Sequence, residues 1–483
     1  MNLKKIIAGL DITRMEGAGG DPAIRGIRFD SRKVGKGDLF VAVRGTVTDG
    51  HHYIAEALSR GAACVVGEEL PEKADQKVAW ILVPDSRKAL ALMASAFYGH
   101  PSRELQMVGV TGTNGKTTII ALLYQLHCLL NFKAGMLSTI HVMIDGEPHP
   151  ATHTTPDPVQ INEYLREMAD RGCKYCFMEV SSHAIDQQRI AGLRFDGGIF
   201  TNLTHDHLDY HKNFRGYLAA KKRFFDQLPK EAFALINSDD RNAGVMAQNT
   251  RAGKYSYGMR SVSDFQGRIR EMHLEGSLML IAGREVWVRL PGYFNASNLL
   301  SVYGASVLLG HHPDDVLKAL SKLDPVPGRF ETYRSQSGIT GIVDYAHTPD
   351  ALRNVLESIH EIIPGEVKII TVVGAGGDRD REKRPLMARI AAEFSHRTIL
   401  TSDNPRFEDP EKILDEMMGG IPAELMDRTV RILHREEAIR TACVMAEKED
   451  VILVAGKGHE KYQEIRGERR SFNDMEILKR NMN

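Results

Sequence analysis

Short apolar runs alternate with polar stretches along the chain, and two patterns of apolar residues recur. Short apolar runs that are bounded by Gly, Pro, Asn or Asp are typical of buried β-strands. Stretches in which apolar residues return every three or four positions, such as 53–60, 119–130 and the region from 295 onward, predict helices. The predicted strands are 38–43, 63–66, 78–83, 107–110, 175–180, 198–201, 233–237, 341–344, 368–373, 398–401 and 451–454.

The repeated order of strand, loop and helix predicts an α/β protein with largely parallel sheets. Gly- and Pro-containing segments at 99–102 and 325–329 divide this pattern into three parts. We therefore expect three domains: a small N-terminal α/β domain over 1–98, a central α/β domain over 99–326 and a C-terminal Rossmann-like α/β domain over 327–483. Residues 252–290 are an exception, because their alternation favours antiparallel strands.

The composition argues against several classes of protein. With 62 Lys and Arg against 63 Asp and Glu, the net charge of -1 creates no general attraction to nucleic acid or membrane surfaces. No run approaches the ~18 apolar residues of a membrane span, and Asp11 and Arg14 interrupt the N-terminal apolar run, so no signal peptide is expected. Five scattered cysteines favour a reducing cytoplasm, and Cys173 and Cys176 are expected to be buried thiols. A cytoplasmic monomer is expected.

A glycine-rich segment, Gly-Val-Thr-Gly-Thr-Asn-Gly-Lys-Thr-Thr at 109–118, lies between a predicted strand and a predicted helix. Such a turn directs backbone N–H groups at phosphate oxygens. Lys116 would reach the outer phosphates and Thr117 would bind Mg²⁺. The strict pattern has Gly where Val110 stands, so the match is to a variant with Gly112. The segment predicts nucleotide binding, and the central domain is expected to resemble P-loop ATPases.

Polar residues also follow other predicted strands, and ligands of open parallel sheets bind beyond the carboxyl ends of the strands. Glu179 closes one strand and is expected to hold Mg²⁺, with a capping role as the alternative. His207 lies in a histidine-rich segment, 201–211, that could hold a hard cation, form a zinc site or be a solvated loop. By charge spacing alone, Lys221 to Arg223 are typical of a solvated helix face.

Three loops of the C-terminal part carry charged residues after a strand. The Asp and Arg residues of 374–381 favour recognition of a zwitterion. Arg406, in Asp-Asn-Pro-Arg at 403–406, could pair with a carboxylate through two hydrogen bonds or be an exposed turn residue. Glu460 follows the last strand and could accept a hydrogen bond from an ammonium group.

Together these segments resemble the Mur ligase family. The resemblance runs through 112–118, 179–183, 202–209, 293–298, 327–331 and 344–349. Residues 30–32, 37–42 and 49–51 are similar to the branch that adds the third amino acid of the peptide. The intact Asp-Asn-Pro-Arg resembles members that add meso-diaminopimelate, whose distal carboxylate Arg406 would pair with, whereas lysine has no such anion.

The resemblance implies an ADP-forming, ATP-dependent acid–amino-acid ligase in peptidoglycan precursor synthesis, and hence a role in cell wall biogenesis, cell shape and division. It would join meso-2,6-diaminopimelate to the D-glutamate of UDP-N-acetylmuramoyl-L-alanyl-D-glutamate through an acyl phosphate. Mg²⁺ and a CO₂-derived carbamate on Lys221 (N6-carboxylysine) are implied as well. Reacting atoms must meet within ~3–3.5 Å, so closure of the domains about 325–330 is expected.

The resemblance also implies five groups of site residues. The catalytic group is Lys116, Glu179, His207 and Lys221, and the metal ligands are Thr117, Glu179, His207 and Lys221. The ATP contacts are Gly112, Thr113, Asn114, Gly115, Lys116, Thr117, Thr118, Asn298, Arg329 and Asp344, with His347 nearby. The muramoyl-dipeptide contacts are Thr154, Thr155, Ser181, Gln187 and Arg189, with Ser31 on the uridine nucleotide. The diaminopimelate contacts are Arg379, Asp403, Asn404, Pro405, Arg406, Gly456 and Glu460.

Three alternatives remain open at the level of sequence. A folylpolyglutamate synthetase would lack an N-terminal domain with the 30–32 motif, and a lysine-adding ligase would differ at Arg406. A phosphate-loop motor or signalling switch would hydrolyse ATP without the nucleotide-sugar.

Overall fold

Residues 1–17, 21–45, 48–69, 77–151, 153–204, 206–363, 365 and 367–482 are described by the computed structural model. Three main sheets follow one another along the chain, and each is built largely from parallel strands. The predicted three-part α/β architecture is therefore confirmed in its class.

The first sheet has the strand order β1-β5-β4-β3-β2. All of its neighbouring pairs are parallel except β1 with β5. Its strands are β1 (Arg14–Gly17), β2 (Ile27–Arg28), β3 (Leu39–Val41), β4 (Cys64–Gly67) and β5 (Ala79–Leu82), and its helices are α1 (Leu3–Ile7), α2 (Ile54–Ser59) and α3 (Ser86–Phe97).

The second sheet has the order β16-β15-β14-β13-β12-β11-β6-β10-β7-β8-β9. Its strands are β6 (Gln106–Thr111), β7 (Ala134–Leu137), β8 (His141–Ile144), β9 (Glu147–Pro150), β10 (Tyr175–Glu179), β11 (Gly197–Phe200), β12 (Phe233–Asn237), β13 (Gly253–Gly258), β14 (Phe265–His273), β15 (Gly276–Ile281) and β16 (Arg284–Val288). Its helices are α4 (Lys116–Leu129), α5 (Pro158–Asp170), α6 (Ser182–Asp186), α7 (Leu208–His211), α8 (Phe214–Asp226), α9 (Ala243–Met246), α10 (Tyr293–Leu308) and α11 (Pro313–Leu320).

The third sheet has the order β17-β18-β22-β19-β20-β21, and a separate hairpin pairs β23 with β24. Its strands and those of the hairpin are β17 (Glu331–Arg334), β18 (Thr340–Asp344), β19 (Ile369–Val373), β20 (Arg397–Leu400), β21 (Thr429–Arg431), β22 (Val451–Ala455), β23 (Tyr462–Ile465) and β24 (Glu468–Ser471). Its helices are α12 (Pro349–Ile362), α13 (Lys383–Phe394), α14 (Pro410–Met418), α15 (Arg435–Met445) and α16 (Asp474–Met482).

Both faces of the second sheet are covered, because alternate residues of one strand enter different cores. In β10, Tyr175 and Phe177 pack into the core that contains α4 and α10. Cys176 and Met178 pack into the core on the opposite face. Parallel strands that are buried on both faces read as continuous apolar runs, which is why these strands were recognisable in the sequence. Cys173 and Cys176 are buried thiols, as predicted.

The prediction of antiparallel strands over 252–290 is correct for only part of that segment. β14, β15 and β16 are antiparallel. β13, however, pairs parallel with β12 and extends the central sheet, and β14 begins parallel to β13. Alternation of apolar and polar residues reports that a strand is half-buried and does not report the direction of its neighbour.

Several helices begin at a capping residue that is followed by proline. The side chains of Asp157, Thr348 and Asp409 each accept a hydrogen bond from the first turn of the helix that follows. Proline fits the first helical position because its missing N–H has no intrahelical partner there. These caps fix where α5, α12 and α14 begin relative to the strand ends.

The last helix is attached to the third sheet by a buried ion pair. Asp474 at the start of α16 accepts two hydrogen bonds from Arg435, at 2.8 and 2.7 Å, and neither side chain is exposed. Arg435 also donates to the carbonyl of Ala455 at the end of β22, at 3.0 Å. One guanidinium therefore joins α15, α16 and the last strand of the sheet.

We expect Asp474→Ala to lower the free energy of unfolding of the C-terminal domain by about 3–5 kcal/mol, because a buried guanidinium loses its counter-ion. The double variant Arg435→Met/Asp474→Leu should regain much of this loss, since no buried charge remains. Urea unfolding followed by circular dichroism measures both changes. Glu436→Ala, which breaks the exposed pair of Glu436 with Arg480 on the same two helices, should change stability by only about 0.5 kcal/mol. An equal loss in the single and double variants would contradict this account.

Candidate active site

One cavity of about 630 Å³ lies where strand ends of the second and third sheets face each other. Loops that follow β6, β10 and β11 line one side of it, and loops that follow β18, β19, β20 and β22 line the other. Strand ends of parallel sheets are the expected location of ligands.

The phosphate loop forms part of the cavity wall on the side of the second sheet. Gly112 leaves no room for a side chain, because an added Cβ would lie 1.8 Å from Thr201 Oγ1. Thr113 N donates to Asn202 O at 2.8 Å and Asn114 N donates to the Asn202 side chain at 2.9 Å. These two amides are therefore used within the protein. The amides of the first turn of α4 have no intrahelical acceptor and remain for an anion.

Two lysine side chains meet at the carbonyl of Gly112. Lys116 Nζ donates to it at 2.9 Å and Lys221 Nζ donates to it at 2.7 Å. Burial lowers the pKa of both groups, and the charge of Lys116 lowers the pKa of Lys221 further. The solvated face that charge spacing alone indicated is wrong for Lys221, which is 1% exposed. The helix α8 turns this position toward Tyr217 and the sheet.

Glu179, the last residue of β10, is held by a residue that the sequence did not single out. Its Oε1 accepts from Thr139 N at 2.7 Å and its Oε2 lies 3.3 Å from Thr139 Oγ1. Thr139 Oγ1 also lies 3.2 Å from Thr154 Oγ1. Thr155 Oγ1 donates to Glu179 O at 2.8 Å. The candidate metal ligand and the two predicted substrate threonines thus form one connected network.

Ser181 and Arg189 extend this network. Ser181 N donates to Thr155 Oγ1 at 3.1 Å, and Arg189 Nη1 donates to Thr155 O at 2.7 Å. Gln187 accepts from Arg189 at 2.7 Å but does not line the cavity. Ser31 also lies away from the cavity, in the N-terminal part, where its hydroxyl donates to Glu56 at 2.8 Å.

His207 lies in the loop after β11 with a left-handed backbone, φ 54°. Enclosure in the cavity lowers the pKa of His207, so its imidazole is neutral and has a lone pair for a cation. Burial alone would raise the pKa of neighbouring Asp206, but His207, His347, Lys383 and Lys116 hold it below its usual value. His205 of the same segment lies outside the described residues.

The predicted metal ligands all line the cavity, namely Thr117, Glu179, His207 and Lys221. Within the described ranges, no group of three or more His, Cys, Asp or Glu side chains is arranged to hold a metal. The hydroxyl of Thr117 and the carboxylate of Glu179 are hard oxygen donors, which suit Mg²⁺, an ion that takes few protein ligands and completes its shell with water and phosphate. The donor set therefore fits Mg²⁺ bound with a nucleotide.

Residues of the C-terminal part contact the phosphate loop directly. Arg329 Nη2 donates to Thr117 Oγ1 at 3.0 Å, and Asn114 Nδ2 donates to Asp350 Oδ2 at 3.0 Å. Asp344 accepts from Phe330 N at 2.6 Å, and burial raises the pKa of Asp344 to about 6. The predicted ATP contacts Asn298, Arg329 and Asp344, and also His347, are gathered around the loop in the same cavity.

The far side of the cavity is a charged pocket. It is lined by Arg379, Asp403, Asn404, Arg406, Gly456 and Glu460, whereas Pro405 does not line it. Arg406 has a left-handed backbone, φ 52°, and its Nη1 donates to Gly377 O at 2.6 Å. Asn404 Nδ2 donates to Glu460 Oε2 at 2.8 Å. Both signs of charge face one space, as a zwitterionic ligand requires.

Comparisons with known proteins agree with this arrangement. Three family models match in chain order: "Mur ligase family, catalytic domain" over 23–98, "Mur ligase middle domain" over 110–306 and "Mur ligase, glutamate ligase domain" over 328–458. A relative from Bacteroides thetaiotaomicron, named UDP-N-acetylmuramoyl-L-alanyl-D-glutamate--2,6-diaminopimelate ligase, is 57% identical over 94% of this chain and 95% of its own.

The chain belongs to the Mur ligase family. A relative of the same name from Bacteroides fragilis is 55% identical over 99% of both chains. A solved structure of a protein with that name has a TM-score of 0.70 and 32% identity, and the match covers 100% of this chain and 98% of the other. The predicted family and three-domain fold are confirmed, and the chain is an ATP-dependent ligase of peptidoglycan synthesis.

The sequence did not reveal several residues that line this Mur ligase cavity. Thr139, Lys383 and Asn354 carry no motif of their own, and they enter the cavity only through folding. Lys383 lies at the start of α13, where its Nζ donates to His347 O at 3.0 Å. A cation at the start of a helix is electrostatically unfavourable without a ligand or anion nearby, and this was the only available signal.

No helix in the described part of the chain is both long enough and apolar enough to cross a membrane.

We expect Gly115→Ala to weaken binding of a non-hydrolysable ATP analogue about tenfold. The new Cβ, at the residue that precedes α4, would lie 2.7 Å from Asn298 Oδ1 of α10. Gly146→Ala is a matched control, because Gly115 and Gly146 have φ of 87° and 88° but Gly146 has open space around it. The left-handed backbone should therefore cost both variants a similar loss of stability, about 1–2 kcal/mol, and only Gly115→Ala adds the contact with Asn298. Titration calorimetry measures affinity, and equal affinities of the two variants would refute the assignment.

Proposed function

We propose that this Mur ligase adds meso-diaminopimelate to the D-glutamate of UDP-N-acetylmuramoyl-L-alanyl-D-glutamate, with conversion of ATP to ADP and phosphate. The observation that carries the proposal is the single cavity that joins a phosphate loop to a pocket with paired acidic and basic side chains. The names of relatives that match at 57% and 55% identity over nearly the whole chain support it.

The chemistry has two steps. A carboxylate is a poor acyl donor because oxide is a very poor leaving group. The D-glutamate side-chain carboxylate therefore attacks the γ-phosphorus of ATP, the bond to the β-phosphate oxygen breaks, and ADP leaves. The diaminopimelate amine then attacks the acyl carbon, and the tetrahedral intermediate releases phosphate and one proton. Both steps bring anions together, so positioning and charge neutralisation are the main tasks of the protein.

On the side of the phosphate loop, the amides of the first turn of α4 and the ammonium of Lys116 neutralise the phosphate groups. Arg329 and Asn298 border the same space and complete the nucleotide site. Thr117, Glu179, His207 and a carbamylated Lys221 would hold Mg²⁺, which would neutralise negative charge in this part of the cavity.

The surroundings of Lys221 suit carbamylation. Burial lowers the pKa of its ammonium well below the usual value, so a neutral amine with a lone pair is available to attack CO₂. The resulting carbamate keeps an N–H that can still donate to Gly112 O, and its negative charge lies beside Lys116. The carbamate is therefore attracted by the Lys116 ammonium, whereas a protonated Lys221 would be repelled by it.

The three domains divide the substrates among them in this proposal. Residues 1–98, with Ser31, take the uridine nucleotide, 99–326 take ATP, and 327–483 take the amino acid. Thr154, Thr155, Ser181, Gln187 and Arg189 direct the muramoyl-dipeptide toward Glu179. We also propose that the ligase is cytoplasmic and monomeric, and that its domains close about residues 325–330.

We expect Lys221→Ala to lower amide formation by about 100-fold or more, because the carboxylate-like metal ligand is lost. Bicarbonate should not restore it, since alanine has no amine to carbamylate. Carbon-13 NMR in labelled bicarbonate should show a carbamate signal that disappears in the variant. Lys222→Ala is the control, because Lys222 forms an ion pair with Asp226 and does not line the cavity. Wild-type rates in Lys221→Ala would overturn the role of this lysine.

We expect Arg406→Ala to raise the KM for diaminopimelate by about 10–100-fold, because a charge-assisted pair is lost, and to leave any turnover of lysine unchanged. Phosphate release with UDP-muramoyl-dipeptide, ATP and either diaminopimelate, lysine or no amine measures this. Arg466→Ala is the control, because Arg466 has nearly the same left-handed backbone, φ 51°, on the neighbouring hairpin. Equal release without amine would instead favour a motor or switch.

Transfer of labelled oxygen from the D-glutamate carboxylate into phosphate tests the acyl phosphate itself. If none is transferred, the proposed function fails at its first step.

A further inference from the structure

Lys457 is a fully buried lysine at the base of the charged pocket, in the loop after β22. Its Nζ donates to Asn404 Oδ1 at 3.0 Å and to Glu460 Oε2 at 2.9 Å. Asn404 Nδ2 donates to the same Glu460 oxygen at 2.8 Å. The three side chains therefore form a closed triangle of hydrogen bonds, which we call the Lys457 triangle.

The triangle decides which way the Asn404 amide faces. The oxygen and nitrogen of an amide have nearly the same shape, so only their partners fix the orientation. Lys457 Nζ and the backbone N–H of Glu464 both donate to Asn404 Oδ1, the latter at 2.9 Å. An ammonium cannot accept a hydrogen bond. In the opposite orientation, the amide NH₂ of Asn404 would therefore face two other donors, the Lys457 ammonium and the Glu464 N–H.

The triangle also orients Glu460. Its Oε2 receives two donors, Lys457 and Asn404. Its Oε1 accepts no hydrogen bond from the described residues and belongs to a residue that lines the cavity. One oxygen is thus anchored, and the other is left for the ammonium group of an amino acid.

Lys457 also supports the second carboxylate of the pocket. Burial alone would raise the pKa of Asp403, but Lys457 and then Arg435 hold it below its usual value, so it stays ionised. Lys457 therefore acts on two carboxylates that line the same cavity, Glu460 by a hydrogen bond and Asp403 by its charge. Without this cation, the pocket would enclose two negative charges with one fewer counter-ion.

The neighbouring hairpin extends the same network to Arg406. Gln463 Nε2 on β23 donates to Asp403 O at 2.7 Å, and Arg406 N donates to Glu464 O at 3.1 Å. The segment 403–406 is thus hydrogen-bonded along β23, and the Lys457 triangle lies where the hairpin begins. A substitution at Lys457 therefore affects Asn404 and Glu460 through direct hydrogen bonds. It affects Arg406 indirectly, through β23.

We infer that Lys457 is a positioning residue for the amine-capturing step alone, because it sets the orientation of Asn404 and Glu460 and stays apart from the phosphate loop. This inference rests on the proposed function, in which those residues bind the diamine. It predicts that the variant forms the acyl phosphate normally but captures diaminopimelate poorly. A residue with a merely structural role would affect both steps alike.

Lys457→Met keeps an unbranched side chain that is one atom shorter and removes the donors and the charge. Hydroxylamine, which is small and does not need the pocket, traps the acyl phosphate as a hydroxamate. We expect the KM for diaminopimelate to rise about 10–100-fold, the usual loss when buried partners are left unpaired. The rate of hydroxamate formation with UDP-muramoyl-dipeptide and ATP should stay within about twofold of wild type.

Lys457→Gln has a donor but no charge, so its KM for diaminopimelate should lie between those of wild type and Lys457→Met. If the Met variant does not fold, the Gln variant is used for the test instead. Lys461→Met, an exposed lysine of the same loop, should behave as wild type. Equal losses of hydroxamate and amide, or no loss of either, would overturn the inference. If wild type itself yields no hydroxamate, the acyl phosphate mechanism fails instead, which distinguishes the two failures.

Discussion

The carbonyl of Gly112 is the point on which the chemistry of this ligase depends, because the side-chain nitrogens of Lys116 and Lys221 both donate to it. Two protonated amines so close would repel each other, and a single backbone dipole would offset only part of that repulsion. The arrangement is possible because glycine lets the backbone pack against Thr201. Burial favours the neutral form of Lys221, while the ammonium of Lys116 attracts anions, and every substrate in the proposed reaction is anionic or carries a carboxylate.

A ligase of this kind must bring three ligands to one place. Hydrogen bonds between the central and C-terminal domains hold the two sides of the cavity together. Arg329 and Asp350 come from the C-terminal part and contact Thr117 and Asn114 of the phosphate loop. Gly328, just before Arg329, has a left-handed φ of 66° and no room for a side chain beside His459. Contacts at the nucleotide are thus linked to the segment that joins the domains.

Local signals explain which features could be predicted from the sequence. The strands were recognisable because both of their faces are buried, and the phosphate loop because its glycines and Lys116 are adjacent in the chain. Features that depend on distant partners could not be predicted. The direction of β13 depends on β12, the burial of Lys221 on Gly112, and the roles of Thr139 and Lys457 on Glu179 and Asn404. A polar side chain does not report in the sequence which remote group it will meet.

The ion pair between Arg435 and Asp474 has a practical consequence beyond stability. Arg435 also holds the carbonyl of Ala455, which immediately precedes Gly456 in the wall of the charged pocket. The helix that begins at Asp474 is therefore linked through Arg435 to the backbone of the amino-acid site. Proteolytic clipping before this helix, or an affinity tag fused so that it pulls the helix away, would disturb amine selection while nucleotide binding persists.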